Sequence, residues 1–460
     1  MAYTYLAGEI KKRPGVYQRT SKRGNDNTIS ALNGVVAFAM AGSWGPVDKV
    51  TTHDSTKSIR ETYGTGASVE AACNILAGGA SKVFIKRLAG TGGTAGTADV
   101  GTAVTLNSKY PGKRTLVVNV KEKANDATKK QAVIQEGTVI LETLEFAVSD
   151  SDETEAFMAA VASSAYITAT KKAAGIITAG EYTLTGTDAT VTAANYADAY
   201  NALEPYHYNV LCTDSADADV FATLCAYEKE SYHNGKLIMV VGGEAPTTDN
   251  LEARLKAAAA CNSERVVYFG GSWLDASGAE VKGAAANAYV AGAIASTPAN
   301  KSIVHLVIQG ATDVPEKLTN AQYVEAIENG LLLVSVGYDG QVWFDSGINS
   351  LITPGEDQDE GWKKIRRVKT RYELMDRIDR TLATKVGKIN CDADGVAYII
   401  QSALGVIKEM VAEKKLYSGN FYEDPENPHG GDSAWFIIEA DDIDSLEKIY
   451  LHYQFRYSAN

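Results

Sequence analysis

Three stretches of this chain have residue types and spacings that suggest chemistry. Gly90-x-Gly92-x-x-Ala95 has the outline of a dinucleotide-binding turn, in which glycines let the backbone approach a pyrophosphate. Such a turn must open a helix. This one lies in a Gly/Thr-rich run, so a flexible connection is the expectation. Asn390-x-Asp392-x-Asp394-Gly395 begins like a calcium loop, but the twelfth position is Gln401, which cannot supply a bidentate carboxylate. A turn in which Asp392 or Asp394 caps the following helix is the better reading. Gly235-Lys236 is followed by Leu237, where a phosphate loop needs Ser or Thr to hold magnesium. The six histidines never fall in H-x-x-x-H spacing or beside a cysteine pair, so no metal centre is expected. Asp441-Asp442 reads as a solvated acidic turn and not as a positioned acid/base couple. No cofactor is expected.

One charged cluster stands out. Lys363, Lys364, Arg366, Arg367, Lys369 and Arg371 crowd into one short run of a chain whose net charge is -13. Either they form a solvated helix face balanced by Glu373, Asp376 and Asp379, or they dock an acidic partner. No aromatic residues interleave at stacking spacing, and the overall charge opposes non-specific nucleic-acid binding, so nucleic acid is not the expected partner. Cys73, Cys212, Cys225, Cys261 and Cys391 are scattered and never in C-x-x-C spacing, which reads as reduced thiols made in a cytosol. No basic and then apolar leader opens the sequence. The longest apolar runs, 35–41 and 284–294, fall short of the ~20 residues that span a bilayer. A soluble protein without membrane insertion is the expectation.

The elements that carry these residues divide the chain. Residues 31–90 and 191–345 alternate strands with helices, and their strands read as continuous apolar runs, which predicts a mostly parallel sheet covered by helices. Residues 91–190 break that rhythm with short Thr- and Val-rich alternating runs and one helix at 153–162, an inserted β-rich domain. Residues 346–445 predict an α+β domain, with helices near 370–386 and 393–416, an irregular stretch from Ser418 to Gly431, and a strand at 434–439. Two ends remain. Residues 1–30 form an arm whose Tyr3, Tyr5, Leu6, Ile10, Val16 and Tyr17 are too apolar for a solvated tail. Residues 446–460 contain a run in which Ile449, Leu451, Tyr453, Phe455 and Tyr457 share one side of an extended strand, with Tyr450, His452, Gln454 and Arg456 on the other. A terminal strand this apolar needs a sheet to join, its own or a neighbour's.

This order resembles the sheath proteins of contractile tails, found in myophages and phage-tail-like bacteriocins. The resemblance is carried by Arg13-Pro14-Gly15-Val16-Tyr17, by Met375-Asp376-Arg377-Ile378-Asp379 with Gly387-Lys388-Ile389-Asn390, and by the closing stretch 446–457. It covers essentially the whole chain, the inserted domain least. It implies an α/β domain similar to subtilisin-type proteases, with an α+β C-terminal domain carrying extended terminal arms. The run Gly283-Ala284-Ala285-Ala286-Asn287 is similar to the start of the nucleophile helix of those proteases, yet the nucleophile position falls on Ala284 or Ala285. Asp214 stands where a triad Asp would, without a serine to serve. A structural protein and not an enzyme is therefore implied.

The resemblance also implies a mechanical role. Copies would polymerise helically around an inner tail tube protein and contract to drive it through a cell envelope. Baseplate and tail terminator proteins would be further partners. The particle would assemble in the bacterial cytoplasm. Both arms would add strands to neighbouring copies. The polar stretches 21–28 and 441–445 would be hinges, and the basic cluster would face an acidic tube. The rival expectations are an α/β hydrolase with a degenerate motif and a monomeric binding protein.

Overall fold

The computed structural model describes residues 34–247 and 250–456, together with the backbone of 3–4 and 17–18. Strands β1 (Tyr3–Thr4) and β2 (Tyr17–Gln18) pair in parallel. Residues Tyr5, Leu6, Ile10 and Val16 of the expected arm lie outside the described residues, as does Tyr457 at the other end.

The body opens with β3 (Val35–Met40), β4 (Val50–His53), α1 (Thr56–Tyr63), α2 (Ala67–Ala77) and β5 (Lys82–Arg87). The chain then leaves for the inserted part: β6 (Thr97–Val100), β7 (Val104–Ser108), β8 (Leu116–Glu122), β9 (Lys129–Glu136), β10 (Val139–Ala147), α3 (Thr154–Ala162), β11 (Ile167–Lys171) and β12 (Gly180–Leu184). It returns through α4 (Ala193–Leu203), β13 (Val210–Thr213), α5 (Ala218–His233), β14 (Met239–Gly242), α6 (Leu251–Cys261), β15 (Val266–Phe269), the hairpin β16 (Trp273–Leu274) and β17 (Glu280–Val281), α7 (Ala284–Ser296), α8 (Asn320–Glu328), β18 (Leu331–Leu332) and the hairpin β19 (Val334–Val336) and β20 (Val342–Phe344). Last come α9 (Ile365–Ala383), α10 (Ala393–Ala412), β21 (Leu416–Glu423) and β22 (Phe436–Asp442).

The central sheet has seven strands in the order β18-β15-β14-β13-β3-β5-β4. All neighbours are parallel except β4 with β5. The all-apolar strand Val35–Met40 explains the layering: Val36, Phe38 and Met40 pack on one face with α2 and α7, while Val35, Ala37 and Ala39 pack on the other with α4 and α5. Both faces are covered, as continuous apolar strands require. Helix α7 is buried on every side from Ala286 to Ala295, and small residues let it lie against α2 at backbone distance. A Cβ on Gly292 would stand 2.0 Å from the Ile75 carbonyl oxygen.

The insertion has its own core, built on Val104, Leu106, Leu116, Val118, Ile134 and Phe157, between a four-stranded and a three-stranded antiparallel sheet. The two passages of chain that join it to the body pair at Thr91 with Thr190 and Thr94 with Thr187. A second tie comes from the body. Trp44, in the loop after β3, is buried in the core of the insertion, with the Arg114 guanidinium 5.1 Å from its ring. Arg87, 2% exposed, donates to the carbonyls of Gly42 (2.9 Å), Gly45 (2.7 Å) and Pro111 (2.8 Å), so one buried cation shapes both sides of the junction. The Gly/Thr-rich run expected to be a flexible connection leads into β6, whose strand character, like that of β11, comes from pairing with β7.

Helices α9 and α10 and the β21–β22 hairpin share a core of Leu374, Ile378, Val406, Ile407, Met410 and Phe421. The irregular stretch expected from Ser418 begins instead as β21, paired antiparallel to β22 from Leu416↔Asp442 to Glu423↔Phe436.

Candidate assembly surface

The catalytic-looking residues are each engaged structurally. Asp214 follows β13, at the carboxyl end of the sheet where the strand order reverses, a position where α/β sheets commonly bind ligands. Its carboxylate accepts from the Ala41 amide (2.8 Å) and the Tyr196 hydroxyl (2.7 Å), and burial pushes its pKa up. Ala284 and Ala285 open α7 behind Gly283, and the Ala285 carbonyl accepts from the Asn74 amide at 3.1 Å. Gly90 and Gly92 sit in the junction with the insertion and open no helix. Asp392 caps α10, accepting from the Gly395 amide at 2.8 Å. Lys236 closes the end of α4: it donates to the carbonyls of Glu204 (2.7 Å) and Tyr206 (2.9 Å) and lies 3.8 Å from the Tyr208 ring centre. Burial lowers its pKa to about 8. Among the described residues no group of three His, Cys, Asp or Glu side chains could hold a metal ion.

The basic cluster is not a free cationic face, which corrects the docking reading. Helix α9 starts at Ile365, earlier than the sequence suggested, so most of these cations lie in its first two turns. Positive charge there opposes the helix dipole and requires anions. The chain supplies them itself. Arg367 forms a two-pronged pair with Asp442 (2.8 and 2.5 Å), and Arg371 reaches Asp442 (3.3 Å) and Asp359 (3.1 Å) while lying 4.3 Å from the Trp362 ring centre. Lys364 bridges Asp444 (2.6 Å) and Glu447 (2.9 Å), and Lys363 pairs with Glu360 (2.8 Å). Arg366 donates to the carbonyls of Ile443 and Asn300. Lys369 donates to the Ile294 and Thr297 carbonyls at the end of α7.

Burial pulls the Lys369 pKa down to about 7 from 10.5. A depressed amine means the unfolded chain binds the proton more tightly between those values, so stability rises with pH from about 7 toward 10.5. Lys369→Met is expected to lack that component. Urea midpoints at pH 7 and pH 9 check this: the wild type gains stability between them and the variant gains less. Equal gains would refute the burial of this charge.

The same ion pairs move the hinge expected at 441–445. Asp441 and Asp442 belong to β22, and Ile443 donates its amide to the Lys415 carbonyl at 3.1 Å. The chain stays pinned as far as Glu447, which also accepts from the Ser302 hydroxyl at 3.2 Å. From Lys448 to Arg456 every residue is exposed. Ile449 is 71% exposed, Leu451 67%, Tyr453 70% and Phe455 93%. Tyr453 and Phe455 stack at 6.2 Å, as alternate residues on one side of an extended chain can. No strand forms there among the described residues.

An open surface lies nearby. Among the described residues β21 and β22 pair only with each other. A two-stranded sheet is marginal alone and leaves edges to be completed. Beside β21 runs a groove of about 310 Å³, floored by Leu404, Ile407 and Val411 of α10 and walled by Tyr417, Ser418 and Gly419 of β21. Helix α10 is long and apolar enough to cross a bilayer by composition, and here it buries Ala403, Val406, Ile407 and Met410 against the hairpin. This groove was not foreseen, because the sequence signal for β21 is weak.

Comparison with known proteins places this architecture. Residues 189–350, the stretch from α4 to β20, match the family model described as the phage tail sheath protein central domain. That stretch is therefore similar to a phage tail sheath domain, and the resemblance to contractile tail sheath proteins holds. The phage-like element PBSX protein XkdK of Bacillus subtilis is 23% identical over 98% of both chains. The sheath tail protein of Desulfitobacterium hafniense shares the fold with a TM-score of 0.76 and 22% identity, covering 95% of this chain and 99% of that one. The helical sheath of the anti-feeding prophage in its contracted state shares it at a TM-score of 0.56 and 12% identity, covering 97% and 99%.

Proposed function

We propose that this chain is the structural subunit of a contractile tail sheath, polymerising helically around an inner tube and contracting to drive that tube through a cell envelope. The observation that carries this reading is an unfilled joint. An alternating apolar segment leaves the body at Lys448 with no strand partner among the described residues, and an open hairpin edge with an apolar groove lies on the same domain. The segment of one copy completes the β21–β22 sheet of the next by strand addition, where backbone hydrogen bonds give continuity and alternate side chains set register. A head-to-tail contact of this kind that does not close a ring makes a filament. The phage tail sheath domain and the sheath folds of similar proteins support the same reading. The apolar N-terminal residues Tyr3, Tyr5, Leu6, Ile10, Val16 and Tyr17 form the second arm of the joint. The partners are further copies of the chain, an inner tube protein, and the proteins that close the two ends of the tail. Contact with the tube is not assigned to the basic cluster, whose cations are matched within the chain.

Negative-stain microscopy of the concentrated protein tests this. Long tubes with regular cross-striation are expected, alone or around tube protein. Monodisperse single subunits in both preparations would overturn the proposal.

A further inference from the structure

We propose that the basic first turns of α9 and the acidic end of β22 form a two-tier electrostatic latch that sets where the terminal segment leaves the body, with a fixed inner tier and a releasable outer one. This rests on the reading of that segment as the joint between copies, and it adds a control over that joint.

The inner tier is Arg366, Arg367 and Arg371 on Asp442 and Ile443. The Asp442 side chain is 7% exposed and that of Arg366 4%. Burial alone would raise the Asp442 carboxyl, yet Arg367 and Arg371 hold it below the ordinary carboxylate range. Removing one partner from such a group leaves a buried charge uncompensated, so this tier stays shut whenever the domain is folded. The outer tier is Lys364 on Asp444 and Glu447. Lys364 is 30% exposed and Asp444 36%, so water and salt screen this contact far more strongly. Closed, it lays residues 444–447 along the body and the free segment begins at Lys448. Open, it frees those residues, and the tether lengthens without any change in the sheet.

The latch costs the protein something, which argues against incidental surface pairing. Cations at the start of a helix are unfavourable unless matched. Asp359 and Glu360 supply part of the match from just before the helix, but Asp442 and Asp444, 75 and 80 positions beyond Arg367 and Lys364, lie on the short stretch from which the segment departs.

The test uses the full chain at a concentration too low to polymerise. A non-specific protease is applied briefly, and mass spectrometry locates cuts within 444–447. Lys364→Glu is expected to raise cutting there about tenfold, with Lys364→Gln intermediate and the melting temperature of the body unchanged. Wild-type protein in 1 M salt should behave like the variant. Placing Asp444→Lys and Glu447→Lys on the Lys364→Glu background should restore protection. Cutting at 444–447 that is the same in wild type and Lys364→Glu would overturn the latch. This readout is independent of the joint itself, since it needs no polymer: tubes that persist on truncation, with protection lost in Lys364→Glu, would leave the latch standing, and loss of tubes with unchanged protection would leave the joint standing.

Discussion

Deletion of residues 448–460 is expected to abolish tube formation while leaving a monomer that melts at the wild-type temperature. The segment begins where the last ion pair to the body ends, and every described residue beyond Glu447 is exposed. It therefore contributes almost nothing to the packing of its own chain. In a polymer its apolar side would be covered. Burying side chains such as Ile449, Leu451 and Phe455 is worth roughly 1.5–3 kcal/mol each before ordering costs, enough to decide whether copies associate. Light scattering and calorimetry on the same sample check both halves. A truncated chain that unfolds more than a few degrees early would show that the segment pairs within its own chain. Tubes that persist would place the joint elsewhere. Deletion from residue 443 is a useful contrast, because it also removes Ile443, whose carbonyl accepts from the buried Arg366 and whose amide donates to the Lys415 carbonyl, and should cost stability.

Gly292→Val should be the most damaging single substitution in the body. The added Cβ meets the Ile75 carbonyl oxygen at 2.0 Å, and the obstacle is backbone in the last turn of α2. Neither helix can step aside, because α7 is enclosed on all sides. Overpacking of a core usually costs about 1–3 kcal/mol, and a backbone obstacle belongs at or above the top of that range. For a unit of this size that is a fall of about 10 °C in Tm, read by calorimetry. Gly430→Ala is the control: nothing lies within 4 Å of its added carbon, and no measurable change is expected. A variant at position 292 as stable as wild type would mean that α2 and α7 are not in backbone contact.

Much of the body was legible because its signals are local. Strands such as Val266–Phe269 are unbroken apolar runs, and Thr319 caps α8 in a reciprocal pair with Gln322. The C-terminal region was harder for a physical reason. Ser418, Gly419 and Asn420 are turn formers by propensity, and only the partner strand makes β21 a strand. The basic cluster was visible as charge, but its meaning depended on Asp442, Asp444 and Glu447, which no window around residue 367 contains. The same distant pairs turned the expected hinge at 441–445 into a pinned root. The alternation from Ile449 to Phe455 was visible too, although a pattern shows which side wants burial and not which chain provides it.

The point of departure at Lys448 also sets a length. The nine described residues from Lys448 to Arg456, fully extended, span about 30 Å. Any residues that pair in a neighbour's groove subtract from that reach, leaving a leash of roughly half. Two copies joined this way can turn and slide past one another within that radius, but they cannot separate. In the proposed assembly, the geometry permitted to each neighbour would be bounded by the unpaired part of this one segment, and every residue released by the proposed latch would lengthen it.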